Sequence, residues 1–308
     1  MSYLKEGVII EQQFLAIDIG GTFIKYATFN QQGSQLRATE KVATIISEAS
    51  NQILAQVLEI VEAISSEVTL SGVAISTAGV VDAADGSIRY SGYTIPGYTG
   101  TPLKQTIEHH YQLPCAVIND VNAAAYGEYW QSFGENDKPK SLCCLTIGTG
   151  VGGAFVLDGQ VYVGATGMAG EVGYLPFAEG LFQDLASTTA LLKAAKQVDG
   201  KDLTGETFFQ LLAEDANSGY QVVFDNFITA LAQGILTVSY VMNPEVVILG
   251  GGILAQESII LPKLEASLKK QAIDERFVSA EIKAAKLGNN AGMLGALYYL
   301  LESGLDRG

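Results

Sequence analysis

The run Phe14-Leu15-Ala16-Ile17-Asp18-Ile19-Gly20-Gly21-Thr22-Phe23-Ile24-Lys25-Tyr26-Ala27-Thr28-Phe29 sets two apolar strand patterns on either side of a glycine turn. Residues 14–17 are a short apolar strand ending in Asp18, and residues 23–29 resume as a second strand after Ile19-Gly20-Gly21-Thr22. Glycines let backbone amides approach an anion, and an aspartate at a strand end can hold a hydrated Mg²⁺. By itself the segment reads equally well as an ordinary hairpin turn.

Working outward, residues 47–65 carry Ile53, Val57, Ile60, Val61 and Ile64 at helical spacing, and residues 70–76 follow as a buried strand. Asp85-Gly86 is a hairpin turn between residues 80–81 and 88–90, and residues 114–119 form another short apolar strand. From Val121 the composition turns to an Ala-rich helix, 122–130, then a polar loop, 134–141, then two strands around Gly148 to Gly153. Helical patterns cover 204–213, 221–242 and 291–302. The second of these stops at Asn243-Pro244 ahead of a strand at 246–249. No repeat of solenoid period is present. Strands with intervening helices in both halves predict two α/β domains facing a cleft, where ligands bind in such folds.

The chain has 308 residues, 48% apolar and 17% charged, enough for two packed cores. Its 18 basic and 33 acidic residues give a net charge of −15, which disfavours nucleic acid as a partner. Apolar stretches such as 246–254 reach about half of the ~20 residues that a membrane helix needs, and no basic segment leads into an apolar one at the start. A soluble cytoplasmic protein with no membrane partner is the expectation. Three cysteines make no disulfide framework, and Cys143 and Cys144 would point to opposite faces of one strand as core residues. A structural zinc site would want four Cys or His ligands, whereas His109-His110 reads as a helix surface, so no zinc site is expected.

Four further clusters could carry chemistry. In Ile147-Gly148-Thr149-Gly150-Val151-Gly152-Gly153, three glycines satisfy G-x-G-x-x-G, with Glu171 at about the acid spacing of a dinucleotide fold. That fingerprint needs a helix to open at the glycines. Here 154–157, Asp158-Gly159 and 160–163 read as strand, turn and strand, which leaves a phosphate loop between strands. Leu249-Gly250-Gly251-Gly252-Ile253 follows a buried strand and reads either as bare backbone for a base or phosphate, or as a tight strand-to-helix turn. Asn119-Asp120 places an acid at a strand terminus, where it would be a positioned base or an N-cap of the following helix. Glu171 lies in a small-residue segment and suits either hydroxyl binding or solvation.

Taken in order, these segments resemble the sugar kinases of the ROK family, within the actin and hexokinase superfamily. The resemblance is carried by Asp18-Ile19-Gly20-Gly21-Thr22, Ala74-Ile75-Ser76-Thr77-Ala78-Gly79, Ile118-Asn119-Asp120-Val121-Asn122-Ala123-Ala124-Ala125, Gly148-Thr149-Gly150-Val151-Gly152, Gly170-Glu171-Val172-Gly173 and Leu249-Gly250-Gly251-Gly252. It implies a two-domain actin-like, ribonuclease H-like α/β fold with the active-site cleft between the domains. Residues 1–118 plus 290–308 would make one domain and 119–289 the other. Asp18, Gly20, Gly21, Thr22 and Lys25 would form the first phosphate site, with Asp18 orienting Mg²⁺ through water. Gly148, Thr149, Gly150 and Gly152 would form the second, and Gly250, Gly251 and Gly252 would border the adenosine of ATP. Asp120 would be the general base on a sugar hydroxyl, implied to be the 6-hydroxyl, as that oxygen attacks the γ-phosphate. Gly79, Asn119 and Glu171 would hold the other hydroxyls. A homodimer is also implied.

Departures from the family pattern bear on the sugar. Many relatives carry Glu-x-Gly-His and then a Cys-rich zinc segment that also supplies a sugar-holding acid. Here Glu171-Val172-Gly173-Tyr174 and Glu179-Gly180-Leu181-Phe182-Gln183-Asp184-Leu185-Ala186-Ser187 stand instead. Tyr174 replaces the histidine and Gln183 the acid, which keeps a hydroxyl contact while altering preference. Thr94-Ile95-Pro96-Gly97-Tyr98 likewise departs from an Asn-Leu-Pro-Gly-Trp sugar loop. Glucose, a β-glucoside, a phosphorylated glucoside and an N-acetylhexosamine such as N-acetylmannosamine all remain open as substrate. A family repressor carries a DNA-binding segment of some tens of residues ahead of the first phosphate loop; 17 residues precede Asp18 and the net charge is −15, so a repressor is not the expectation. A non-catalytic sugar-binding regulator would be expected to lack the base or a phosphate loop.

Overall fold

Strands β1 (Gln13–Ile19) and β2 (Phe23–Phe29) pair antiparallel from Phe14 opposite Phe29 to Ile19 opposite Ile24, closing the turn that the sequence predicts. The computed structural model describes residues 12–92, 95–214 and 219–304. The chain divides into two compact units, one of residues up to 123 together with those from 292, the other of residues 124–291.

In the first unit β3 (Glu40–Ala43), α1 (Ile53–Glu67), β4 (Leu70–Thr77), β5 (Val80–Val81), β6 (Ile88–Tyr90), α2 (Leu103–Tyr111) and β7 (Cys115–Asn119) follow, and α3 (Asp120–Gln131) begins. Its five-stranded sheet has the order β3-β2-β1-β4-β7, with β1, β4 and β7 parallel. Central β1 is covered on both faces, so Phe14, Leu15, Ala16 and Ile17 are all fully buried and its sequence does not alternate. Ile53, Val57, Ile60, Val61 and Ile64 of α1 share the core with Ile17, Val73 and Ile75. That helix starts at residue 53, not 47. Ser47 folds back on Ser50, and the Asn51 side chain accepts the Ile53 N–H, so the first six residues of the periodic stretch are turn.

The second unit takes up β8 (Ser141–Ile147), β9 (Val151–Leu157), β10 (Gln160–Val161), β11 (Pro176–Phe177), β12 (Gly180–Leu181), α4 (Phe182–Ala186), α5 (Thr188–Asp199), α6 (Gly205–Glu214), α7 (Gly219–Met242), β13 (Val246–Gly250), α8 (Glu257–Gln271) and β14 (Glu281–Ala284). Its sheet, β10-β9-β8-β13-β14, repeats the pattern of the first: three parallel strands with an antiparallel hairpin on one side. Cys143 and Cys144 lie on β8 and are both buried, because both faces of that strand are covered. Helix α7 is long and apolar enough to cross a membrane by length and composition, although polar residues interrupt its apolar ones. More than half of that stretch is buried, with Phe224, Phe227, Leu231 and Ile235 in the core of the unit. Glu128 of α3 is also buried, and its Oε1 accepts the N–H groups of Lys286 and Leu287 at 2.9 and 2.8 Å.

Helix α9 (Ala291–Gly304) belongs to the first unit, where Leu300 packs on β4 so closely that a Cβ at Gly72 would lie 3.0 Å from it. The sequence sets domain boundaries at 118/119 and 289/290, whereas the units divide at 123/124 and 291/292. Asn119 and Asp120 therefore count with the first unit, since β7 leads directly into the first turn of α3.

Candidate active site

In the first unit the carboxyl ends of β1, β4 and β7 reach one edge of the sheet, the place where α/β folds bind ligands. Register puts Ser76 of β4 on one side of Asp18 and Lys25 of β2 on the other. Ser76 Oγ donates to Asp18 Oδ1 at 2.8 Å, and Lys25 Nζ stands 3.9 Å from Oδ2. Burial nevertheless pushes the Asp18 carboxyl above its ordinary value, with Ser76 and Lys25 opposing. In the turn after Asp18, the Gly20 N–H donates to the Phe23 carbonyl at 3.0 Å and Thr44 Oγ1 donates to the Gly20 carbonyl at 2.7 Å. Gly21 and Thr22 are exposed at its tip.

Asn119 ends β7 and Asp120 begins α3. The Val121 N–H reaches Asp120 Oδ1 at 2.9 Å, but most of the capping of α3 falls to Asn119. Its Oδ1 accepts the N–H groups of Val121 and Asn122 at 3.0 and 3.1 Å. Its Nδ2 donates to the Gly79 carbonyl at 3.0 Å and to Asp120 Oδ1 at 2.9 Å. Burial first, then the charge of Asp18, push the Asp120 carboxyl up to about 6, against the hydrogen bonds from the Val121 N–H and Asn119. A carboxyl so placed can exchange a proton near neutral pH. Gly79 holds φ +96°, and a Cβ there would lie 2.8 Å from the Tyr90 carbonyl oxygen, so the turn that presents its carbonyl to Asn119 requires glycine. In the loop that follows, Thr94 lies outside the described residues, while Tyr98 is fully buried.

In the second unit Gly148, Thr149 and Gly150 form a tight loop between β8 and β9, with the Gly148 N–H on the Gly150 carbonyl at 2.9 Å. No helix opens there, in agreement with the rejection of a dinucleotide fingerprint, and Gly152 lies inside β9. The Thr188 N–H at the start of α5 donates to the Gly148 carbonyl at 3.0 Å. Gly153 and Gly170 touch backbone to backbone, and Gly173 lies against the Val151 carbonyl, which brings Glu171 beside the loop. Partial burial raises the Glu171 carboxyl. Gln183 on α4 approaches the same loop, its Oε1 2.8 Å from where a Gly150 Cβ would stand and 3.2 Å from that of Gly173. Tyr174 is 60% exposed beyond Gly173.

Gly250 ends β13. Gly251, at φ +105°, leaves no room for a side chain against the Ile147 carbonyl, so the third glycine cluster abuts the second. Gly148, Thr149 and Gly252 line one wall of a cavity of about 600 Å³ whose other walls include Leu192, Glu206 and Phe209. That volume suits a nucleotide, with apolar walls for a base and a carboxylate for hydroxyls or amines. The helical walls escaped the sequence reading, since Leu192 on α5 and Phe209 on α6 look like ordinary amphipathic spacing. Among the described residues no cluster of three or more His, Cys, Asp or Glu could hold a metal ion.

A family model described as the ROK family matches residues 14–303, and the chain belongs to that family. An uncharacterised protein of Clostridium perfringens is 39% identical over 293 residues, covering 94% of this chain and 98% of that protein. A beta-glucoside kinase of Listeria innocua is 31% identical over 300 residues, covering 93% and 97%. Among solved structures, a ROK family protein from Streptococcus pneumoniae in complex with sucrose has a TM-score of 0.83 at 30% identity, covering 94% of this chain and 98% of that one. A ROK family glucokinase from Streptomyces griseus in complex with glucose and AMPPNP has a TM-score of 0.78 at 26% identity, covering 94% and 100%. The fold is that of these actin-like sugar kinases.

Proposed function

We propose that the chain transfers the γ-phosphoryl group of ATP to a hydroxyl, the 6-hydroxyl, of a hexose or hexoside such as glucose or a β-glucoside. The observation that carries this is Asp120: a carboxyl pushed up to about 6 at a strand terminus, with Asn119 taking most of the capping. Its bonds from Asn119 and Val121 fall on Oδ1, so Oδ2 is the oxygen that would take the proton as the sugar oxygen bonds to phosphorus and ADP leaves. Asn119, Gly79, Glu171, Tyr174 and Gln183 would be the sugar contacts. Gly20, Gly21, Thr22 and Lys25, with Gly148, Thr149, Gly150 and Gly152, would hold phosphates by backbone amides and one ammonium. Gly250, Gly251 and Gly252 would border the nucleoside in the 600 Å³ cavity.

Mg²⁺ fits the residues present. Asp18 and Asp120 are desolvated carboxyls, and the charge of Asp18 adds to the cost of ionising Asp120, which a cation offsets; Mg²⁺ usually takes one or two carboxylates plus water and phosphate oxygens. When bound it supplies charge neutralisation on the phosphates, with Asp18 as the residue that would orient it through water.

The test is ADP release from MgATP with a panel of free hexoses, β-glucosides and N-acetylhexosamines, N-acetylmannosamine included, run beside Asp120→Asn. Sugar-dependent release that falls by about 10²- to 10⁴-fold in the variant, with sugar affinity retained, is the expected result. Sugar binding without turnover in the native protein would instead make it a sugar-binding regulator of the same family.

A further inference from the structure

Behind the Gly79 turn lies a pair of hydroxyls with no exposure to solvent. Tyr98 Oη and Thr77 Oγ1 are 2.7 Å apart, and both residues are fully buried. Tyr98 closes the segment Ile95-Pro96-Gly97-Tyr98, in which Ile95 is buried and Gly97 turns at φ +69°. The Asn51 amide ties that segment from the other side, donating to the Pro96 carbonyl at 2.9 Å. A hydroxyl taken into an apolar core is costly unless it is paired, so a phenylalanine would fill this space at lower cost if filling it were the only requirement.

Thr77 is the last residue of β4 and pairs with Asn119 in the parallel register of β4 and β7. The Ala78 N–H is fixed to the Ile19 carbonyl at 3.2 Å, and two residues beyond Thr77 the Gly79 carbonyl accepts from Asn119 Nδ2 at 3.0 Å. The second hydrogen of that amide goes to Asp120 Oδ1 at 2.9 Å. The connection from the 95–98 segment to the carboxylate is thus continuous, and it lies wholly within the first unit.

We propose that Tyr98 is a positioning residue for phosphoryl transfer: its hydroxyl fixes Thr77 and hence the Gly79 carbonyl, which orients the Asn119 amide that holds the Asp120 carboxylate. This rests on the reading of Asp120 as the base. The charged groups facing Asp120, Asp18 on β1 and Lys25 on β2 beyond it, are untouched by a change at Tyr98.

The experiment compares Tyr98→Phe, Thr77→Val, the double variant and Thr77→Ser. Both hydroxyl deletions are expected to lower kcat about 10-fold with the KM for MgATP unchanged, since misplacement of a reacting group acts on turnover. The acid limb of the kcat–pH profile moves to higher pH, because the amide bond to Asp120 favours its ionised form. The double variant is no worse than either single one, and Thr77→Ser restores the native profile. A lower Tm with kcat and the acid limb unchanged would reduce Tyr98 to packing and overturn the proposal. If Tyr98→Phe does not fold, Thr77→Val decides. If the native protein shows no sugar-dependent turnover, the base assignment falls. The relay is then read from the ¹³C titration of the Asp120 carboxyl, identified by its loss in Asp120→Asn. An upward midpoint shift in Tyr98→Phe supports the relay, and coincident curves overturn it.

Discussion

The Asn119 side chain caps α3 with its oxygen and holds Asp120 Oδ1 at 2.9 Å with its nitrogen, so it takes most of the helix-starting work that either residue could have done. Asp and Asn are near-equal N-caps, and division of these roles leaves the acid available for chemistry at a cost in its ionisation. Two consequences of that cost are measurable.

Asp120 has a folded-state carboxyl pushed up to about 6, above its ordinary value of 3.8. On the proposal that Asp120 is the base, it works ionised, so kcat/KM should rise with pH through about 6 and level off above it. For stability the sign is opposite. The folded protein binds the proton more tightly than the unfolded chain, so this group costs stability progressively as pH rises from about 4 to about 6 and fully above that. Asp120→Asn should therefore raise thermal stability at pH 7.5 by about 2 kcal/mol, with the gain vanishing near pH 4. Melting curves of the two proteins across that range give the answer, and a pH-independent difference would show that desolvation of Asp120 is not its source.

Gly292, at the second position of α9, should be intolerant of a side chain for a catalytic and not a folding reason. A Cβ there would stand 2.9 Å from both Asp18 Oδ1 and Ser76 Oγ, the two ends of a 2.8 Å hydrogen bond. Alanine is the better helix former by about 1 kcal/mol, which offsets much of the crowding. Gly292→Ala is expected to keep a near-native Tm while raising the KM for MgATP several-fold through a displaced Asp18. A variant with unchanged nucleotide kinetics would mean that the Asp18 carboxylate is not held where the bond from Ser76 suggests.

The sequence made the first unit's edge legible because its chemistry is local. Asp18 with Gly20 and Gly21, and Asn119 with Asp120, each sit within a few residues of a strand end. The rejection of a dinucleotide motif at Gly148 also needed only the strand, turn, strand pattern after it. What stayed hidden depends on partners far along the chain. Leu192 and Phe209 become cavity walls only once two helices lie beside Gly252, and Tyr98 finds the partner of its hydroxyl in Thr77, 21 residues earlier. Glu128 is the extreme case, with partners 158 and 159 residues away. No periodicity marks such a residue, and a glutamate in an Ala-rich helix reads as its solvated face.

That buried glutamate should matter to stability more than any surface acid. Glu128→Ala leaves the N–H groups of Lys286 and Leu287 without their acceptor and is expected to cost about 3 kcal/mol. Glu128→Gln keeps an acceptor oxygen and should cost distinctly less. Urea midpoints with unchanged slopes would report this ranking, and equal losses for the two variants would assign the effect to the lost charge instead of the hydrogen bonds.

Gly234 on α7 lies against the far end of the Phe182 ring: a Cβ there would fall 2.1 to 2.6 Å from three ring carbons. Phe182 is fully buried and opens α4, so its ring has no space into which to retreat without moving that helix. Overpacking of this kind costs about 1–3 kcal/mol, more than the helix propensity gained by alanine. The next residue on α4 is Gln183, whose Oε1 lies against Gly150 and Gly173, so the displacement reaches the loop between β8 and β9. Gly234→Ala should therefore lower both Tm and the affinity for sugar, although it touches neither ligand. Replacing the ring as well, in Gly234→Ala with Phe182→Leu, should recover a large part of the stability lost. Failure of the second change to rescue the first would show that the contact between α4 and α7 is not what limits a side chain at this position.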